Sequence, residues 1–206
     1  GLEEQIWLEN RMGYIKINGK KEQILPEKLL IPGEHNRKNL LTAAAAMYLY
    51  GFGGTDIMDA LSDFRGIPHR LEFIRELEGR AFYNDTTATI PQASNAAVKS
   101  FDKPVILIAG GTDKNLIFDL VPETARLVKK LVLLKGSGTD RMTEELDKAG
   151  CSYEGPYNSL EKAVDEAYAA SERGDIILFS PGCTSFEMFK NEFDRGNSFI
   201  NYVNRL

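Results

Sequence analysis

The chain has 206 residues, 43% of them hydrophobic, and a formal net charge of −5, so it is long enough for a real core and for one or two domains. No Lys/Arg block or basic stripe interleaved with aromatics is present, which argues against a nucleic-acid partner and for small molecules. Two cysteines, Cys151 and Cys183, are too few for a disulfide framework or a zinc site and fit a reducing cytoplasm; apolar runs such as "PVILIAG" fall far short of the ~20 residues that span a bilayer, and no signal peptide is visible.

Residues 5–31 read as short alternating segments ("QIWLEN", "GYIKING", "KLLIPG") divided by turn residues, a few strands without a full core of their own, as at the tail of a domain. From Asn36, apolar residues at 40, 41, 44, 47 and 48 have the spacing of an amphipathic helix, with Gly51 where a C-cap belongs. "TDIMDALSDF" predicts a second helix capped by Thr55, and "RGIPHR" then marks a domain boundary near 65–69.

Beyond the boundary, "RLEFIREL" and "RAFYND" read as a hairpin across Glu78-Gly79. Helices are predicted at 91–100, 119–129, 139–149 and 159–172 and after 184, with strands at 104–109, 130–134 and 175–179. Apolar strands alternating with helices predict an α/β fold: a Rossmann-like, mostly parallel sheet with helices on both faces. Ligands in such sheets sit at the carboxyl ends of the strands, near a topological switch point.

Four strand ends are therefore compared. "NDTTATIP" places Asp85, Thr86, Thr87 and Thr89 in one loop, either to satisfy backbone groups before a helix starting at Pro91 or to meet a polar ligand. "GGTDKN" (110–115) offers two glycines through which backbone amides could approach a ligand, and Lys114 as a cation. "SPGCTSFEMF" (180–189) is expected to lead hydroxyls into a helix N-terminus, an anion site. "KGSGTD" (135–140) lacks the third glycine of a dinucleotide fingerprint and reads as an ordinary turn. Three strand ends thus converge on hydroxyls, amides and one lysine, a pocket for a small carboxylate. Cys183 has no histidine near it in sequence and reads as a small buried residue rather than a thiolate; no metal-ligand cluster stands out, and nothing matches the G-x-x-x-x-G-K-S/T phosphate loop.

"IPGEHNRKN" (31–39), "GIPHRLEFI" (66–74), "YNDTTAT", "LIAGGTDKN" and "LFSPGCTSFEMFKNEFDRG", in this order over residues 31–196, together resemble the Mur ligases of peptidoglycan synthesis. The Pro-His-Arg and Gly-Gly-x-x-Lys forms favour the D-glutamate-adding branch. The resemblance implies that 1–66 is the C-terminal remnant of a central ATP-binding domain and 67–206 a Rossmann-like amino-acid-binding domain. It implies an ATP- and Mg2+-dependent ligase that joins D-glutamate to UDP-N-acetylmuramoyl-L-alanine through an acyl phosphate. The phosphate loop and metal ligands are expected outside this chain, which would be inactive alone, and a cytoplasmic monomer is expected. Carried over by position, Asn36, His69, Arg70 and Asp85 are implied to meet the nucleotide, and Thr89, Lys114, Ser185 and Phe186 the amino acid. For Asn36 a helix N-cap, and for Arg70 a hinge salt bridge, are the plainer readings.

Two positions depart from the family pattern. Thr87 stands where a lysine contacts the acceptor's carboxylate, and in "NEFDRG" (191–196) the aromatic is shifted by one place. Both bear on the identity of the acceptor, so a ligase for a different amino acid, or a free-standing Rossmann-like binding module, stays open.

Overall fold

The computed structural model describes residues 4–206 and divides into two compact units, Gly1–Gly66 and Ile67–Leu206. In the first unit, β1 (Gln5–Glu9), β2 (Met12–Ile17) and β3 (Lys20–Leu25) form an antiparallel meander. Helices α1 (Glu34–Tyr50) and α2 (Gly54–Ser62) accompany it, and Ile15, Ile24 and Leu25 bury against Leu40, Leu41, Ala44, Ile57 and Leu61.

The third strand is "KKEQIL", where the sequence pointed to "KLLIPG"; Pro32 and Gly33 break the latter into bends. Neither expected N-cap holds. Gly33 precedes α1 and Asn36 sits inside its first turn, while Gly53 precedes α2, with Thr55 one turn position further in. At Gly51, φ of 113° lets the chain leave α1 through a left-handed C-cap that returns its N–H to Tyr48.

The second unit is a six-stranded sheet in the order β4-β5-β9-β6-β7-β8. Its strands are β4 (Glu72–Leu77), β5 (Arg80–Asn84), β6 (Val105–Ala109), β7 (Lys130–Leu134), β8 (Glu154–Tyr157) and β9 (Ile176–Phe179). Only the β4–β5 hairpin is antiparallel. Each central strand is apolar throughout because alternate residues face two different cores. Val105, Leu107, Leu131, Leu133 and Leu178 meet Val98, Val121 and Met142, from α3 (Pro91–Val98), α4 (Val121–Leu127) and α5 (Ser137–Lys148). Ile106, Ile108, Val132, Ile177 and Phe179 meet α6 (Leu160–Ala169) and α7 (Glu192–Val203), through Val164, Phe199 and Val203.

Strand β8 escaped the sequence reading because Glu154-Gly-Pro-Tyr157 is short, edge-placed and free of β-branched residues. The last helix begins at Glu192, well beyond 184, leaving 180–191 as an extended loop. From β6 the chain runs outward through β7 and β8, then returns to insert β9 on the other side of β6. That reversal is the topological switch point, and it brings the loops after β5, β6 and β9 together at one end of the sheet.

Candidate functional site

The loop after β5 is clasped onto residues 69–71. Asp85 Oδ1 accepts from the Leu71 N–H at 3.1 Å, and the His69 carbonyl accepts from both the N–H (3.2 Å) and the hydroxyl (2.9 Å) of Thr87. His69 and Leu71 hold φ of 67° and 43°, left-handed values that side chains other than glycine's rarely adopt. The clasp gives these strained residues their partners. His69 Nδ1 lies 2.9 Å from the Asn84 amide nitrogen, so Nδ1 accepts and the proton belongs on Nε2. The His69 ring also stands edge-on to Phe193 of α7.

Asp85 is buried, and its second oxygen accepts from Ser180 at 2.7 Å, across the switch point. Loss of solvent dominates and raises its pKa from 3.8 to about 6, against the lowering effect of Ser180, the Leu71 N–H and the Arg70 charge. Arg70 itself is exposed. No ion pair involves its side chain among the described residues, so a hinge salt bridge within the unit is not what it forms. The candidates His69, Arg70, Asp85 and Thr87 are therefore one cluster. Asn36 lies in the first unit, buried, with its amide donating to the Pro32 carbonyl at 2.8 Å.

The loop after β6 differs from the expectation of open amides. The Gly110 N–H donates to the Pro181 carbonyl (2.8 Å) and the Gly111 N–H to Thr139 Oγ1 (2.9 Å), so both amides serve the fold. A Cβ on Gly110 would collide with the Leu134 carbonyl, and one on Gly111 would sit 2.5 Å from the Thr184 carbonyl. The glycines thus permit close passage of backbones rather than approach of a ligand. Lys114, three residues beyond Gly111, is exposed and its side chain makes no ion pair or hydrogen bond among the described residues. Its loop is fixed by Asp113, whose carboxylate accepts from the Leu116 N–H (2.9 Å) and pairs with Arg141 (2.8 Å). Gly136 and Gly138, of the G-x-G segment, open α5 and pack on the Gly111 carbonyl, which accepts from the Gly138 N–H at 2.8 Å.

The loop after β9 prolongs the ladder through an antiparallel bridge between Thr112 and Thr184. The anion site expected at its helix N-terminus is not formed there. Asn191 caps α7 by accepting from the Asp194 N–H at 2.8 Å, and acidic Glu192 and Asp194 occupy its first turn. What the loop does present is Ser185, 3% exposed, whose hydroxyl is buried with no hydrogen-bond partner among the described residues. Beside it Phe186 stands 61% exposed. Thr89 is half-buried with no side-chain bond among the described residues, and its neighbour Ala88 accepts from the Gly182 N–H at 2.9 Å. Cys183 is fully buried and its thiol is pushed up to about 12 by loss of solvent, the inert residue the sequence suggests.

The residue that sequence reasoning passed over is Arg195. It is 1% exposed. From α7 its Nε and Nη2 donate to the hydroxyl and carbonyl of Thr86 (2.9 and 2.8 Å), and its Nη1 lies 3.0 Å from the carbonyls of Cys183 and Thr184. One guanidinium thereby staples the Asp85 loop to the Ser185 loop. The signals in the sequence were its place in "NEFDRG", which carries the family resemblance, and an amphipathic helix whose arginines ordinarily face water.

Parallel strands covered by helices, with a topological switch point, define a Rossmann-like domain. A family model described as "Mur ligase, glutamate ligase domain" matches residues 69–183, and the chain belongs to the Mur ligase family. It is 40% identical over 204 residues to the UDP-N-acetylmuramoylalanine--D-glutamate ligase of Roseiflexus sp. (strain RS-1), covering 98% of this chain and 42% of that protein. The enzyme of the same name from Bacillus subtilis (strain 168) is 37% identical, with 100% and 45% covered. The chain therefore spans less than half the length of these relatives. Among solved structures, E. coli FolC in complex with DHPP and ADP has a TM-score of 0.67 at 19% identity, covering 100% of this chain and 47% of that one. The UDP-N-acetylmuramate-alanine ligase of Thermotoga maritima gives 0.65 at 14%, covering 95% and 44%. At these identities the structures establish the shared fold.

Proposed function

We propose that this chain is the amino-acid-binding portion of an ATP-dependent ligase that joins D-glutamate to UDP-N-acetylmuramoyl-L-alanine in peptidoglycan synthesis. The observation that carries the reading is the convergence of the 85–89, 110–115 and 180–186 loops at the switch point, in a chain whose curated relatives bear that enzyme's name. Residues 1–66 are read as the end of a central ATP-binding domain and 67–206 as the acceptor domain of a monomeric cytoplasmic enzyme; no described helix is long and apolar enough to cross a membrane.

In the reaction, the terminal phosphoryl group of ATP passes to the muramoyl-alanine carboxylate; the D-glutamate amine then loses a proton, attacks the acyl carbon and displaces phosphate. On this reading His69, Arg70, Asp85 and Asn36 meet the nucleotide. Arg70 is an exposed cation able to face phosphate, and Asp85 a buried acceptor. Thr89, Lys114 and Ser185 hold the carboxylates of D-glutamate while Phe186 shields the site, leaving the amine free. Each charge-assisted bond contributes about 1.5–3 kcal/mol, and holding the amine within reach of the acyl carbon supplies the rest of the rate advantage. Mg2+ would neutralise phosphate charge during transfer. On this reading the ligands of the metal lie in other parts of the enzyme.

A second reading, a ligase for a different amino acid, draws on Thr87. An amide-shift NMR titration with D-glutamate, L-glutamate and D-lysine in parallel tests both. Saturable shifts at Thr89, Lys114 and Ser185 with D-glutamate alone are expected. Shifts there with D-lysine instead would transfer the proposal to another acceptor, and silence from all three would count for a module of different use.

A further inference from the structure

The notch at Ser185 holds two features that neither the fold nor the loops explain. The Ser185 hydroxyl is buried without a partner, in a space of about 10 Å3 bounded by Gly110, Gly111, Thr112, Thr184 and Arg195. That is room for one water-sized group, such as a single carboxylate oxygen. On its wall, the Arg195 guanidinium is bonded only to neutral acceptors, namely the carbonyls of Thr86, Cys183 and Thr184 and the Thr86 hydroxyl. These four bonds use no more than four of its five N–H groups.

Buried charges are ordinarily paired with an opposite charge. The carboxylates near this region are those of Asp113, which is paired with Arg141, and of Glu187 and Glu192. Glu187, which also lines the notch, is turned to the start of α5, where it accepts from the Ser137 N–H (2.9 Å) and hydroxyl (2.5 Å). Loss of solvent draws the Arg195 pKa down to about 10 against the raising effects of Cys183 and Glu192, and Glu192 forms no ion pair with it. Arg195 stays charged at neutral pH, and its charge is uncompensated at close range.

We infer that Arg195 is a specificity-determining residue of the amino-acid site, its buried guanidinium making the notch at Ser185 selective for a negatively charged group. The inference rests on the reading that the acceptor is an acidic amino acid. A carboxylate oxygen entering the notch takes the Ser185 hydroxyl proton as a hydrogen bond and sits in the field of Arg195; a neutral amide oxygen takes the same bond without the charge attraction.

The experiment titrates this chain with D-glutamate and with D-glutamine, which differ only in that charge. The wild type is expected to prefer D-glutamate by about tenfold or more, the size of one charge-assisted bond over a neutral one. Arg195→Gln is expected to bring the ratio of the two affinities to about one, and Arg195→Lys, which keeps the charge, to leave it within about threefold of wild type. Equal weakening of both ligands with the ratio intact would reduce Arg195 to a structural staple and overturn the inference. If Arg195→Gln does not fold, collapse of the ratio in Arg195→Lys overturns it equally. A wild type that binds both ligands alike removes the inference and leaves the proposed function standing; one that binds neither removes both.

Discussion

The Ser180 hydroxyl donates to the buried Asp85 carboxylate at 2.7 Å, joining the end of β9 to the end of β5 at the switch point. Around this contact burial outweighs hydrogen bonding, so the carboxyl titrates near 6 in place of 3.8. The folded state binds the proton more tightly than the unfolded one, so stability is greatest below about pH 4 for this group and declines as pH rises toward about 6. At neutral pH the cost is at most roughly 3 kcal/mol. Asp85→Asn keeps an acceptor for Leu71 and is expected to remove this pH dependence and to be about 2 kcal/mol more stable at pH 7.5. Urea denaturation between pH 4 and 7.5 checks it; a wild-type stability flat over that range would refute the shift. On the proposed function, the same variant weakens nucleotide binding.

Gly196 of α7 lies directly under His69. A Cβ there would collide with His69 Nδ1 and come within 2.5 Å of Thr86 Cγ2. Gly196→Ala is expected to cost about 1–3 kcal/mol through overpacking and to displace the His69 ring from Asn84. Thermal denaturation reads the first effect and the His69 ring resonances read the second. A variant as stable as wild type, with His69 unmoved, would contradict the geometry.

Ser185→Ala separates binding from folding. Because the Ser185 hydroxyl is buried without a partner, its removal is expected to stabilise the ligand-free protein by about 1 kcal/mol. D-Glutamate affinity should fall about tenfold. Destabilisation together with unchanged affinity would show that the hydroxyl serves the fold alone.

Thr87→Lys introduces the lysine that the family resemblance implies at this position. The Thr87 N–H bond to the His69 carbonyl survives the exchange while the hydroxyl bond is lost, at about 0.5–1.5 kcal/mol of stability. If D-glutamate is the acceptor, its affinity is expected to rise several-fold, near the strength of an exposed ion pair. No change in a titration of the two proteins would count against the idea that Thr87 marks a different acceptor.

The sequence by itself determined the class of this protein. Strands such as Val105–Ala109 are apolar at every position because both faces are covered, and that local pattern, alternating with helical periods, already specifies a parallel sheet between two helical layers. Short motifs such as "NDTTAT" and "SPGCTSF" likewise marked hydroxyl-rich strand ends, although the Thr86, Thr87 and Thr184 hydroxyls turn out to bond backbone carbonyls. What only the tertiary structure decided concerns pairs of residues far apart in the chain. The amides of Gly110 and Gly111 belong to Pro181 and Thr139, and the arginine at position 195 is buried between two loops. Such facts depend on β9 being inserted between β5 and β6, and a strand's place in a sheet is a matter of long-range packing that no local periodicity encodes.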